Sequence, residues 1–228
     1  MENVAQMASP ADLVRTISAA TGVALPTIVD IDRRLVKGEL RTKAGRGLNA
    51  AQMTSTDAAR LLTAVLGSAQ ANSAVEAVER YIQTRVDKTR SSSTLFGLPN
   101  LNDLAALPAR HNFVDALAAV IASASAGSLA KLMIENDGWA PHIELSAFTR
   151  AVRGRIRIAN LPNRLTASVE YIPAPSSTKQ SRARARSLSH VADTGDTTGD
   201  LEQSRRITER TILPVAALLA PRSRNDCA

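Results

Sequence analysis

The 228-residue chain has one cysteine, Cys227, close to its C-terminus. No intramolecular disulfide can staple such a fold and no Cys/His spacing suits zinc, so the usage fits a reducing, cytoplasmic setting. Aromatic residues make up only 3% of the chain, which argues against the stacking platforms of single-stranded nucleic-acid and RNP-type RNA binders. Long apolar runs are missing as well. The stretches 113–124 and 212–220 fall well short of the roughly 20 residues that span a bilayer, and "MENVAQMASP" carries an acid where a signal peptide needs an apolar segment. No membrane partner is therefore expected. The three histidines, His111, His142 and His190, are far apart. There is no HExxH, P-loop or nucleophile-elbow pattern, and "DTGDTTGD" at 193–200 departs from the EF-hand loop and lacks its closing glutamate. The reading is of a protein that is not an enzyme and uses no cofactor or metal.

What the chain does have is aliphatic residues and positive charge. Hydrophobic residues make up 44% of it, and 28 Lys and Arg against 21 Asp and Glu leave a net charge of +7. The first figure is enough for a core packed mostly from aliphatic helices. The second favours a polyanionic partner, because clustered cations attract phosphate.

Helix signals dominate the first part. Ser9 with Asp12 forms a capping-box pattern, Pro10 suits the first turn, and Leu13, Val14 and Ile17 share a face until Gly22 stops the helix. Pro26 opens a second helix in which Leu25, Ile28, Ile31 and Leu35 form a buried stripe, ending near Gly38. Its opposite face carries Thr27, Asp30, Arg33, Arg34 and Lys37. A basic, glycine-containing loop, "ELRTKAGRGLNAAQ", follows with Arg41, Lys43 and Arg46. Thr54 with Asp57, and Ser73 with Glu76, then cap two more helices.

A polar, turn-rich stretch at 87–100 reads as a linker. Beyond it, Asn112 with Asp115 caps a helix containing Phe113, Val114, Leu117, Val120 and Ile121. From Trp139 the period shortens to two: 142–150, 153–158 and 165–171 alternate, and "RRITERTIL" at 205–213 offers a further strand after them. Alternation sets Arg153, Arg155 and Arg157 against Ile156 and Ile158, as either a second phosphate surface or a charged edge that blocks aggregation. The segment 173–204 has a basic part, "KQSRARAR", and an acidic part but no apolar period, and composition predicts disorder. The expected architecture is mainly α. A disordered start (1–8), a helical domain (9–86) and the linker precede an α+β segment (101–172) with a small antiparallel sheet; the disordered insertion, a final strand and apolar segment (205–220) and a tail (221–228) follow.

Residues 17–31 resemble the helix-turn-helix superfamily: Ile17, small Ser18, Gly22 at the turn, Val23 just after it, then Ile28 and Ile31. The resemblance implies that the second helix enters the major groove and that its N-terminal half meets base edges. Thr27, Asp30, Arg33 and Arg34 would then face the groove, and Lys37, Arg41, Lys43 and Arg46 would hold the backbone or act as a wing. Asp30 and Asp32 depart from an ideal reading helix, although Asp30 can accept from cytosine N4. The expected partners are duplex DNA and a second copy of the chain, since such proteins read paired half-sites, and the role is that of a bacterial or phage-type transcriptional regulator. The competing reading is a phage packaging or assembly protein whose basic surface tolerates DNA without reading it.

Overall fold

Three helices begin where their capping boxes place them. In the computed structural model, the Ser9 hydroxyl accepts the Asp12 N–H at 3.2 Å and starts α1 (Pro10–Thr21). Thr54 does the same for α3 (Ser55–Gly67) through Asp57 at 3.1 Å, and Asn112 for α6 (Phe113–Ser125) through Asp115 at 3.1 Å. Helix α2 (Leu25–Lys37) starts without a side-chain cap, with Pro26 in its first turn. The expected Ser73 cap does not form. A 3-10 turn, Ala71–Ser73, leads into α4 (Ala74–Ile82), Ser73 has ψ 8 and not an extended backbone, and its hydroxyl bonds back to the Gln70 carbonyl. The described residues are 8–43, 52–92, 101–135, 142–148, 152–161, 165–174 and 204–220. Arg46, His190 and most of the charged insertion lie outside them.

The chain is not mainly α. A five-stranded, wholly antiparallel sheet in the order β1-β4-β3-β2-β5 makes it a mixed α+β fold. Its central strands are β2 (His142–Phe148), β3 (Arg153–Leu161) and β4 (Leu165–Pro173), as period-two patterning predicts. Two short edge strands complete it. β1 (Thr84–Val86) continues directly from α4, a stretch expected to belong to the helical domain, and β5 (Ser204–Thr208) lies on the far edge. The expected last strand is split: β5 ends at Thr208 and α8 (Glu209–Leu219) begins, despite Pro214 inside it. Ile212, Val215 and Ala216 recur at helical spacing and are buried, so packing outweighs the proline.

The sheet is amphipathic. Ile143, Leu145, Ile156, Ile158, Val169 and Tyr171 point to one face and are fully buried beneath the helices. Alternation leaves Arg155 and Arg157 on the other face. The sheet is covered by α3 and α6, both buried along nearly their whole length. Two short helices, α5 (Asn102–Ala105) and α7 (Ser128–Glu135), flank α6, and α8 packs on α1 and α6. Three of the six aromatic residues meet here. The Phe113 ring lies 5.2 Å from that of Tyr81 and 5.7 Å from that of Tyr171, and Gly154 leaves room for it where a Cβ would run into the ring.

One core runs through residues from α1, α2, α3 and α4 as well as α6, α8 and the sheet. The expected division between 9–86 and 101–172 is therefore no boundary in the packing. Ala8, expected in a disordered start, is buried, and its carbonyl accepts the Met53 N–H. Among the described residues no helix is long and apolar enough to cross a membrane.

Candidate nucleic-acid interface

The α1–α2 unit is built around three turn residues. Gly22 has φ 72, the left-handed conformation that ends α1, and its N–H bonds to the Ser18 carbonyl. Ser18 also donates its hydroxyl to the Val23 carbonyl at 2.8 Å, and Thr21 donates to Ile17. The small residue before the turn thus fixes the path into α2. Ile17, Ile28, Ile31 and Leu35 are fully or almost fully buried between the helices and the core, leaving the opposite face of α2 to solvent, whereas Leu25, expected in the same stripe, is exposed at the start of the helix.

That outward face carries fewer free cations than its composition promises. Arg33 and Lys37 are exposed and make no ion pair among the described residues. Arg34 is half-exposed and pairs with Asp30 one turn earlier, at 3.0 Å. Thr27 is exposed on the flank nearest β5 and α8, where it lines a cavity of about 650 Å³ together with Arg205 and Arg210. Lys43 is exposed and pairs with Glu39, itself in a left-handed conformation at φ 59. Arg46 lies outside the described residues.

Arg41 is not a surface cation at all. Its side chain is 5% exposed and its guanidinium lies against the Asp32 carboxylate, with Nη2 to Oδ2 at 2.7 Å. The expectation that it contacts backbone phosphate is corrected accordingly: its charge is neutralised inside. Asp32, which departs from an ideal reading helix, is likewise turned inside, its carboxylate buried and balanced by Arg41.

Around this pair the structure builds an anchor for the basic loop. Thr42 donates its N–H and hydroxyl to Asp57 at 2.9 and 3.2 Å, while Asp57 also serves as the reciprocal cap acceptor of Thr54. Burial alone would raise the Asp57 pKa. The bonds from the Thr42 N–H and from Thr54 outweigh it and hold the carboxyl below its ordinary value. Arg60 adds a bond to the Leu40 carbonyl at 2.9 Å. The chain leaving α2 is thereby tied to the start of α3. Asp57 carries a second role that local reading of its capping box does not reveal, and Asp32 shows its own only in lying beside the apolar positions Ile28 and Leu35.

The second basic stretch lies on the outer sheet face. Since β3 is central, the edge-protection reading of Arg153, Arg155 and Arg157 does not hold. Arg155 Nε bonds to Glu170 on β4 at 2.9 Å, while Arg157 is exposed. His111 serves packing: its Nε2 lies 3.0 Å from the Tyr171 hydroxyl and its Nδ1 2.8 Å from the Pro108 carbonyl, while His142 pairs with Glu209 at 3.0 Å. Burial raises the Tyr171 pKa, with Asp115 adding to the shift, so the phenol stays protonated beside the His111 ring. No three potential metal-ligating side chains converge among the described residues. Compared with known proteins, the chain matches no family, no curated protein and no solved structure.

Proposed function

We propose that the chain binds duplex DNA through α2 and the basic segment after it, as a transcriptional regulator of bacterial or phage type working in the cytoplasm as a homo-oligomer. The observation that carries this reading is the α1–Gly22–α2 unit, which leaves Arg33 and Lys37 without an ion pair among the described residues on an outward face and is followed by a basic segment whose start is held at Arg41 and Thr42. Arg33 and Lys37 supply phosphate or base-edge contacts, and Arg34 joins them where DNA draws it from Asp30. Thr27 and Asp30 offer hydrogen-bonding groups to bases, with Asp30 suited to cytosine N4. Lys43 and Arg46 extend the interface along the backbone. Arg41 positions the loop.

The test is selection of binding sites from random duplexes, followed by affinity measurements across a salt series. A regulator enriches a motif, and Arg33→Ala with Lys37→Ala lowers the log–log salt slope by about 1.8, or roughly 0.9 for each phosphate no longer neutralised. No enriched motif together with an unchanged slope refutes the assignment. The assembly-protein reading draws on a different observation: Arg34, Arg41 and Lys43 are each engaged by a carboxylate of the chain itself. It expects sequence-indifferent binding and a large particle on sedimentation, where a regulator gives a small oligomer.

A further inference from the structure

A second basic surface lies away from α2, at the free edge of strand β1. There the end of α4, β1 and its following turn, the end of β4 and the 109–111 loop enclose an open cleft of about 1160 Å³. Four cations line it: Arg80, Arg85, Lys88 and Arg110. Arg85, Lys88 and Arg110 are exposed and make no ion pair among the described residues. Arg80 reaches only to Glu76, at 4.0 Å. This contrasts with Arg15, Arg34, Lys43 and Arg206, each of which has a carboxylate partner.

Among the described residues the one acid lining the cleft is turned to local work. Asp87 Oδ1 accepts the Thr89 N–H at 3.0 Å and the Thr89 hydroxyl at 2.7 Å, closing the turn after β1. Like charges gathered without compensation repel one another, and an anion seated among them relieves that cost. The remaining wall is mostly apolar, with Val86, Val152, Ile172 and Pro173 beside the polar Gln83, Thr84, Thr89 and His111. It is also firm, because β1 is bonded to β4 and His111 is held between Pro108 and Tyr171. Among the described residues no tryptophan, tyrosine or phenylalanine lines it.

We infer that this cleft binds a small amphipathic anion: a phosphate, sulfonate or similar head seated among Arg85, Lys88 and Arg110, with an apolar body against Val152, Ile172 and Pro173. The volume is slightly above the usual range of about 300–1,000 Å³ for small-molecule sites, and a few polar groups against apolar walls are their usual composition. The site is independent of how α2 is used.

The full-length chain is titrated with 8-anilinonaphthalene-1-sulfonate as the probe, followed by fluorescence and calorimetry. Saturable binding at one site is expected, weakened at least about tenfold by Arg85→Ala with Arg110→Ala, the effect of removing two charge-assisted hydrogen bonds. Arg85→Lys with Arg110→Lys retains most of the affinity, inorganic pyrophosphate displaces the probe, and Arg210→Ala at the other basic cavity leaves binding unchanged. Unfolding midpoints of all variants establish that each is folded. Binding indifferent to the Arg85 and Arg110 pair, binding abolished equally by Arg210→Ala, or displacement by duplex DNA but not by pyrophosphate overturns the inference.

Discussion

A buried charge pair is a poor source of net stability but a costly thing to break. Asp32 and Arg41 give up hydration to meet in the interior, and their attraction offsets this only while both are present. Arg41→Ala or Asp32→Ala should each destabilise the chain by about 3–5 kcal/mol, since the survivor is left as an uncompensated buried charge. Arg33→Ala, on the exposed face of the same helix, should stay within about 0.5 kcal/mol. Urea unfolding of the three variants measures the contrast, and equal midpoints for Arg41→Ala and Arg33→Ala would show that Arg41 is not held inside. Charge patterning groups Arg41 with Lys43 and Arg46 because it registers only sign and spacing. Burial depends on where the loop folds back, and the partner carboxylate lies one helix earlier in the chain.

Helix starts show what local chemistry can decide by itself. A capping serine needs an extended backbone so that its hydroxyl reaches forward to the N3 amide. Ser9, Thr54 and Asn112 have ψ values of 160, 167 and 179 and form the reciprocal bonds, whereas Ser73 at ψ 8 does not. Replacing Ser9, Thr54 or Asn112 by Ala should therefore cost about 1 kcal/mol each, and Ser73→Ala less than about 0.5 kcal/mol. Thermal melts of the four variants separate the two classes, and a Ser73→Ala loss matching the others would contradict the geometry. The same contrast governs the strands. β2, β3 and β4 are long enough for period-two alternation to register, as in "RGRIRIA", but β1 is three residues that follow α4 without a turn signal. β1 exists because Thr84, Arg85 and Val86 pair with the end of β4, a pairing between distant parts of the chain that no window around residue 85 contains. The anion cleft shares this origin. Arg80, Arg85, Lys88 and Arg110 become neighbours only once β1 joins the sheet, whereas Gly22 and the stripes of α1 and α2 lie within one short stretch.

The mainly α expectation fails at the scale of the whole molecule for a related reason. Composition registers the abundance of alanine and leucine in α3 and α6, but helices apolar on nearly every side need a cover, and here the cover is the sheet. α3 packs against α6, β2 and β5, and the carbonyls at its C-terminus accept Arg205 Nη1, from Val65 at 2.9 Å and Ser68 at 2.7 Å. Tyr81 of α4 rests on Phe113 and donates its hydroxyl to the Arg153 carbonyl at 3.0 Å. α1, which leads into the proposed DNA surface, likewise packs on α8, and the Thr211 hydroxyl donates to the Ala20 carbonyl at 3.4 Å. The full chain should unfold in one cooperative urea transition, reported alike by far-ultraviolet dichroism and by hydrogen exchange in α1, α3 and the sheet. A fragment of residues 1–92 keeps α1 to β1 but exposes Leu61, Leu62 and Tyr81 and leaves β1 without β4. It should show no cooperative transition and no strongly protected amides. A sigmoidal unfolding curve from that fragment would mean that the first four helices form a domain of their own, and that the sheet is an attachment to the α1–α2 unit instead of the scaffold that holds it.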